Sequence, residues 1–321
     1  MMDIVTLDEL DRGLVQALQA DGRASFARIG EVLGASDRTV ARRFARLREA
    51  RVLHVVGLVE PTALDGDRWV VRMQCRPGTA LQVADALSRR DDTRWVTLLS
   101  GGTEIGASLQ SWSVRERDEL ILQRLHRTAS VVSVSAHSVL HEFAQDGHAF
   151  EVPGPLTPEQ IASLAPEPGD GEPVTLAETD RPLFDALAVD GRAPYPVLAA
   201  ATGWSESTVA RRLHTLRAAG LLHLDVDIDI ARLGHRAGAR LWASVAPADL
   251  AATGAAVAAH PEAFFVAATT GPTNLFVSVT CRDNQSLFRY LTERLGALPA
   301  VHAVQTAPVM RIIKRAGRLP L

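Results

Sequence analysis

The chain repeats itself. Asp21-Gly22-Arg23-Ala24 returns as Asp190-Gly191-Arg192-Ala193, and Thr39-Val40-Ala41-Arg42-Arg43 returns as Thr208-Val209-Ala210-Arg211-Arg212, both 169 residues later with no gap between the matches. Farther on, Gly102 meets Gly271 at the same offset, and Thr103-Glu104-Ile105 meets Thr273-Asn274-Leu275 after a one-residue slip. In a chain of 321 residues this means two copies of one module, so any fold argued for one half must also serve the other. Between the copies, residues 151–174 hold six prolines and five acidic residues with no Lys or Arg, a composition that extends a chain and is not expected to supply core. One short turn of helix is expected there, at 161–164, because Thr157-Pro158-Glu159-Gln160 offers a cap followed by Pro at the first helical position.

Each copy opens with three short helices. Leu7, Leu10, Leu14 and Leu18 mark one buried face and end at the Asp21-Gly22 breaker. Ser25 caps a second helix carrying Phe26, Ile29 and Leu33, closed by Gly34. Ser36 caps a third, in which Val40, Phe44 and Leu47 share a face and Arg38, Thr39, Arg42, Arg43 and Arg46 lie on the others. The three-residue turn 34–36 between the last two gives the helix-turn-helix layout, whose later helix enters a DNA major groove.

Charge placement supports that reading where total charge does not. The net charge is −3, and all but one of the 34 basic residues are arginine, so arginine abundance says little and its position says more. Residues 36–54 hold six arginines against Asp37 and Glu49, a net of +4, while the 35 residues before them carry −3. A domain so polarised shows one cationic face to phosphates. In the second copy, residues 205–223 carry only +2, with Ser207 and Thr215 in place of Arg38 and Arg46. An isolated arginine-rich helix is usually just a solvated face; here both copies keep the capping Ser, the Thr three residues on and the Arg pair. We therefore expect DNA contacts from Ser36, Arg38, Thr39, Arg42, Arg43 and Arg46, and from Ser205, Ser207, Thr208, Arg211 and Arg212. The arginines would meet phosphates or guanine edges, and Arg38 and Thr39 would approach bases.

Behind each helical unit the pattern changes to strands at 68–75, 93–100, 105–112 and 131–143, with helices at 80–89 and 116–128. The second copy repeats the order with strands at 239–245, 263–270, 275–281 and 301–314 and helices at 250–259 and 285–295. A β-α-β-β-α-β order is the ferredoxin-like plan, so the expected class is α+β, with two copies of a helix-turn-helix domain followed by a ferredoxin-like domain. The expected boundaries are helix-turn-helix domains at 1–60 and 175–230, ferredoxin-like domains at 66–146 and 236–316, and a linker at 147–174.

These features together resemble the Lrp/AsnC family of prokaryotic transcriptional regulators, in a tandem-duplicated, two-module form. The resemblance rests on Asp11 and Asp180 at the start of the first helix, the Asp-Gly-Arg turns and Ser-x-x-Thr-Val-x-x-Arg at 36–43 and 205–212. Gly220-Leu221-Leu222 and Leu233-Gly234 add to it. It implies a sequence-specific DNA-binding regulator whose ferredoxin-like domains pair to make dimers and bind a small effector such as an amino acid. The implied effector loops are Gly101, Gly102, Thr103 and Glu104 in the first copy and Thr270, Gly271, Thr273 and Asn274 in the second. Two departures stand out. Arg51 replaces the glycine that Gly220 supplies, a left-handed helix cap that costs a non-glycine residue about 1 kcal/mol. The loops also lack the family's Gly-x-Tyr-Asp pattern. Whether the paired domains belong to one chain, as a covalent pseudo-dimer, or to two is left open by the sequence.

Two competing readings share this plan: an enzyme resembling sirohaem decarboxylases, which would line a tetrapyrrole cleft with Arg and His, and a small-molecule sensor with degenerate DNA heads. His137 and His141 lie four apart in a strand, which is not helical ligand spacing, so no metal site is expected. Cys75 and Cys281 are not equivalent positions, no phosphate-cradling glycine loop appears, and neither a cofactor nor a catalytic residue is expected. The opening residues lack a secretory layout and no run reaches about 20 apolar residues, so a cytoplasmic protein is expected, and the resemblance implies a homodimer or higher homo-oligomer.

Overall fold

The structure, a computed structural model, describes residues 6–64, 66–125, 128–144, 152, 154–166, 174–231 and 233–315. In chain order the first copy comprises α1 (Glu9–Ala20), α2 (Phe26–Leu33), α3 (Asp37–Glu49), β1 (Leu53–Val59), β2 (Gly66–Cys75), α4 (Ala80–Ser88), β3 (Thr93–Leu99), β4 (Glu104–Ser111), α5 (Val114–Asp118) and β5 (Val131–Ala144). After α6 (Pro158–Leu164), the second copy comprises α7 (Arg181–Val189), α8 (Tyr195–Thr202), α9 (Glu206–Ala218), β6 (Leu222–Ile228), β7 (Ala237–Val245), α10 (Leu250–Ala258), β8 (Ala263–Thr269), β9 (Leu275–Cys281), α11 (Asn284–Arg289) and β10 (Val301–Lys314). α5 and α11 each continue into a wider π-helical stretch, to Leu125 and Leu295; of the helix expected at 116–128, positions 126–127 lie outside the described residues and Thr128 is not helical. Among the described residues no helix is long and apolar enough to cross a membrane.

The copies do not fold one after the other. One unit holds both helical heads, residues 1–63 and 151–233, and the other holds both ferredoxin-like domains, residues 64–150 and 234–321. Like pairs with like inside the single chain.

In the first unit, β1 and β6 form a two-stranded antiparallel ladder in which Val56 faces Asp225. Those residues are 169 apart, so equivalent positions meet and the two heads are related by a pseudo-twofold axis through this pair. Each first helix packs on the other copy's strand, α7 on β1 and α1 on β6. Gly57 permits the approach: a Cβ there would lie 2.6 Å from Leu187 Cβ. Neither strand was anticipated.

The symmetric contacts continue outward. Arg23 donates to the carbonyls of Gly191 (2.9 Å) and Ala193 (3.0 Å), and Arg192 donates to those of Gly22 (2.7 Å) and Ala24 (3.0 Å). Arg217 pairs with Asp21 at 2.6 Å and Arg48 with Asp190 at 2.9 Å. Burial pulls the Arg23 and Arg192 guanidiniums below their ordinary values. Their four bonds to carbonyls therefore replace lost water, and leaving any of them unmade would be costly.

The segment expected as an extended linker behaves differently. Thr157 caps α6 as anticipated, but Val152, Leu156 and Leu164 are buried, and Gln160 Nε2 donates to the Val32 carbonyl at 3.2 Å. Its prolines space a few apolar side chains so that they dock on α1 and α2, and short-range composition did not reveal that surface.

In the second unit each ferredoxin-like half forms an antiparallel sheet, β3-β4-β2-β5 and β8-β9-β7-β10. Pairing of β5 with β8 and of β10 with β3 closes the two sheets into one eight-stranded barrel. Closure removes free strand edges. α4 and the π-helical stretch cover the first sheet through Ala84, Leu87, Leu120 and Leu125, and α10 covers the second through Val257. Between the sheets lie Val70, Leu99, Trp242, Phe265 and Phe276.

Candidate nucleic-acid interface

α3 and α9 begin alike. Ser36 Oγ accepts from Thr39 N and Ser205 Oγ from Thr208 N, each at 3.2 Å, and each Ser–Thr hydroxyl pair lies 2.9 Å apart. The buried faces are Val40, Phe44 and Leu47 in α3 and Val209, Leu213 and Leu216 in α9, as the spacing required. The remaining residues of the first turn are thereby turned outward.

The structure sorts the expected arginines into two groups. Arg43 bonds Asp8 and lies 3.3 Å from Asp11, and Arg46 also bonds Asp11, whose side chain is 1% exposed. The Asp8 carboxylate is held below its ordinary value, first by the Asp11 N–H and then by Arg43. In the second copy Arg212 Nε donates to Asp180 Oδ1 at 2.7 Å and its Nη2 to the Thr175 carbonyl at 3.0 Å. These three arginines tie the third helix of each head to the first. Arg38, Arg42 and Arg211 are exposed, and among the described residues their guanidiniums make no ion pair. Ser207 is also exposed, with its hydroxyl 2.9 Å from that of Ser205.

Both helices end in a left-handed residue. Arg51 stands at φ 53° and Gly220 at φ 69°, with Val52 N bonded to the Leu47 carbonyl and Leu221 N to the Leu216 carbonyl, each at 2.9 Å. The first helix thus keeps the cap geometry of the second without the glycine, and Arg51 is exposed.

The loops implied for an effector are tied up internally. Ser100, Gly101 and Gly102 have φ of 50°, 69° and 85°. Glu104 is buried, accepting from Arg72 Nη2 at 2.8 Å and from Ser100 Oγ at 2.7 Å, and the Thr103 hydroxyl donates to the Ser100 carbonyl at 2.9 Å. In the second copy Thr270 Oγ1 accepts from Ser138 N at 3.0 Å, and the His137 ring sits against Gly271. The Thr273 carbonyl accepts from the Thr269 hydroxyl at 3.3 Å. Asn274 bonds both N–H and carbonyl of Val245 at 2.9 Å.

A small cavity lies between the sheets. Trp95, Trp242, Phe264, Phe265 and Phe276 crowd it with Arg240, leaving a cavity of about 30 Å³, room for a water or two. No histidine lines it.

Sequence reasoning missed Arg23, Arg192, Asp21 and Asp190 as the clasp between heads. Their presence in the strongest repeated motif was the available signal.

The AsnC-type helix-turn-helix domain family matches residues 7–48 and 176–217, and the Lrp/AsnC ligand binding domain family matches residues 239–319. The HTH-type transcriptional regulator FL11 of Pyrococcus horikoshii is 28% identical over 149 residues, 46% of this chain and 98% of the relative. Regulatory protein AsnC of Escherichia coli K12 is 26% identical over 142 residues, 42% of this chain and 93% of that protein. Such relatives are one module long. Among solved structures, the siroheme decarboxylase NirDL covers 96% of this chain and 93% of its own, with a TM-score of 0.62 and 13% identity, a likeness of fold alone. The doubled helix-turn-helix domain, the ligand binding domain behind it and relatives that each match a single module make this chain a tandem-duplicated member of the Lrp/AsnC family.

Proposed function

We propose that the protein is a DNA-binding transcriptional regulator in which one chain does the work of a dimer. The observation that carries this is the pseudo-twofold clasp: two capped, arginine-bearing helices held in one frame by β1, β6 and four arginine–carbonyl bonds. Two heads on a twofold frame suit two half-sites on a duplex. Arg38, Arg42 and Arg211 are the groups left to meet DNA, with Ser36, Ser205, Thr39 and Thr208 near the backbone. Arg43, Arg46 and Arg212 act mainly by bracing the helices that carry them.

The loops at 101–104 and 270–274 are our candidate site for a small polar effector such as an amino acid. Because Glu104 and Asn274 are spent on neighbours, recognition there would fall to backbone groups. The arginine-bearing, Ser-capped helix kept in both copies supports regulation over tetrapyrrole chemistry. A cytoplasmic setting and further assembly of chains complete the proposal.

The test is selection of genomic fragments by the full chain at physiological salt, followed by titration of a selected fragment. Arg42→Ala is expected to weaken binding about tenfold and to lower the salt slope by about one. Failure of the wild type to enrich any fragment, with or without amino acids, would sink the proposal.

A further inference from the structure

A regulator built from two identical chains must read the same half-site twice. Here the two readers are separate stretches of one sequence, free to diverge within a fixed frame. Around the axis through Val56 and Asp225 the side chains that clasp the heads have not diverged: Asp21 and Asp190, Arg23 and Arg192, and Arg48 and Arg217 make the same contacts from either side. Nor have the helix starts, since Ser36 and Ser205 cap with the same 3.2 Å bond, and Arg42 and Arg211 are both exposed.

What differs is the outward face of the first helical turn. Arg38 in α3 is matched by Ser207 in α9. Residues in this turn of a recognition helix reach base edges. An arginine there offers a long bidentate donor suited to guanine, whereas Ser207 offers one short hydroxyl already beside that of Ser205. At the far end, Arg51 is matched by Gly220, so the first head also carries one more uncommitted cation.

Resting on the DNA-binding reading above, we infer that the protein recognises a non-palindromic duplex and binds it in one orientation. The first head reads a guanine-containing half-site through Arg38, and the second reads a weaker, less specified half-site. Arg38 and Ser207 are the residues that set the difference. Neither is part of the clasp or of a buried ion pair, so exchanging them leaves the frame intact.

The experiment is selection from a random duplex library by the full-length protein in three forms: wild type, Arg38→Ser and Ser207→Arg, with thermal melting to confirm equal folding. Wild type is expected to select two unequal half-sites, the stronger with an invariant guanine. Arg38→Ser should lose that guanine, weaken binding to the wild-type site roughly ten- to a hundredfold and select a more symmetric motif. Ser207→Arg should gain the guanine in the second half-site and prefer a palindrome of the strong half. Equal half-sites for the wild type, or an unchanged motif for Arg38→Ser, would overturn the inference while leaving DNA binding standing. No enrichment by any form would instead overturn the DNA-binding reading on which it rests.

Discussion

The two heads share a skeleton and differ in how it is braced. In the first, one buried carboxylate, Asp11, holds both Arg43 and Arg46; in the second, Asp180 holds Arg212 alone, because Thr215 stands where Arg46 would be. The first head is also covered by α6, while the matching surface of the second leaves Val189, Tyr195 and Val197 exposed. The clasp residues Asp21, Arg23 and Arg48 have stayed fixed as Asp190, Arg192 and Arg217, while Arg38 and Arg46 have drifted to Ser207 and Thr215.

That contrast can be broken most forcefully at the buried carboxylates. Asp11→Asn leaves Arg46 without its carboxylate and Arg43 with Asp8 alone, and we expect a loss of about 2 to 3 kcal/mol by denaturant unfolding, against about 1 to 2 for Asp180→Asn. Equal losses would mean that Arg46 adds nothing to the first head. A smaller effect is expected at the helix ends. Arg51→Gly relieves a left-handed arginine and should stabilise by up to about 1 kcal/mol, while Gly220→Arg should cost about the same, both read as shifts in unfolding midpoint. No side chain crowds Gly220, so the cost is purely one of backbone conformation.

The smallest effect concerns the ferredoxin-like pair. Burial pushes His137 below its ordinary value in the first copy, and His235 and His260 in the second. A histidine whose folded value is depressed binds its proton more readily when unfolded, so stability is lost as pH falls through the ordinary value of 6.5. Melting of the wild type between pH 7.5 and 5.5 should show this loss. His260→Gln and His235→Gln together should blunt it more than His137→Gln.

Much of this architecture could be read from the sequence, because helix faces and caps are local. Leu14 and Leu18, Ser25 with Gly34, and Val40 with Leu47 sit where their spacing required. What stayed hidden was long-range. The ladder joining Val56 to Asp225 and the pairing of β5 with β8 leave no local mark, since a strand's sequence does not name its partner. The arginines of α3 were legible as a cationic group but not in their division of labour, which is set by Asp8 and Asp11 more than thirty residues away. Likewise the sequence places Glu104 in an implied effector loop but does not name Arg72, thirty-two residues earlier, as its partner.

The ladder also dictates how the molecule must be made. β1 finds its partner only after a further 169 residues have left the ribosome, roughly ten to thirty seconds at ordinary synthesis rates. Through that interval Val55, Val56 and Val59, all buried when folding is complete, present an unpaired strand beside an unfinished head. On a crowded polysome the nearest matching strand can belong to a neighbouring nascent chain, and pairing with it would produce an entangled, exchanged dimer. Fusing two subunits into one gene removes the search for a partner after synthesis and creates a wait for one during it.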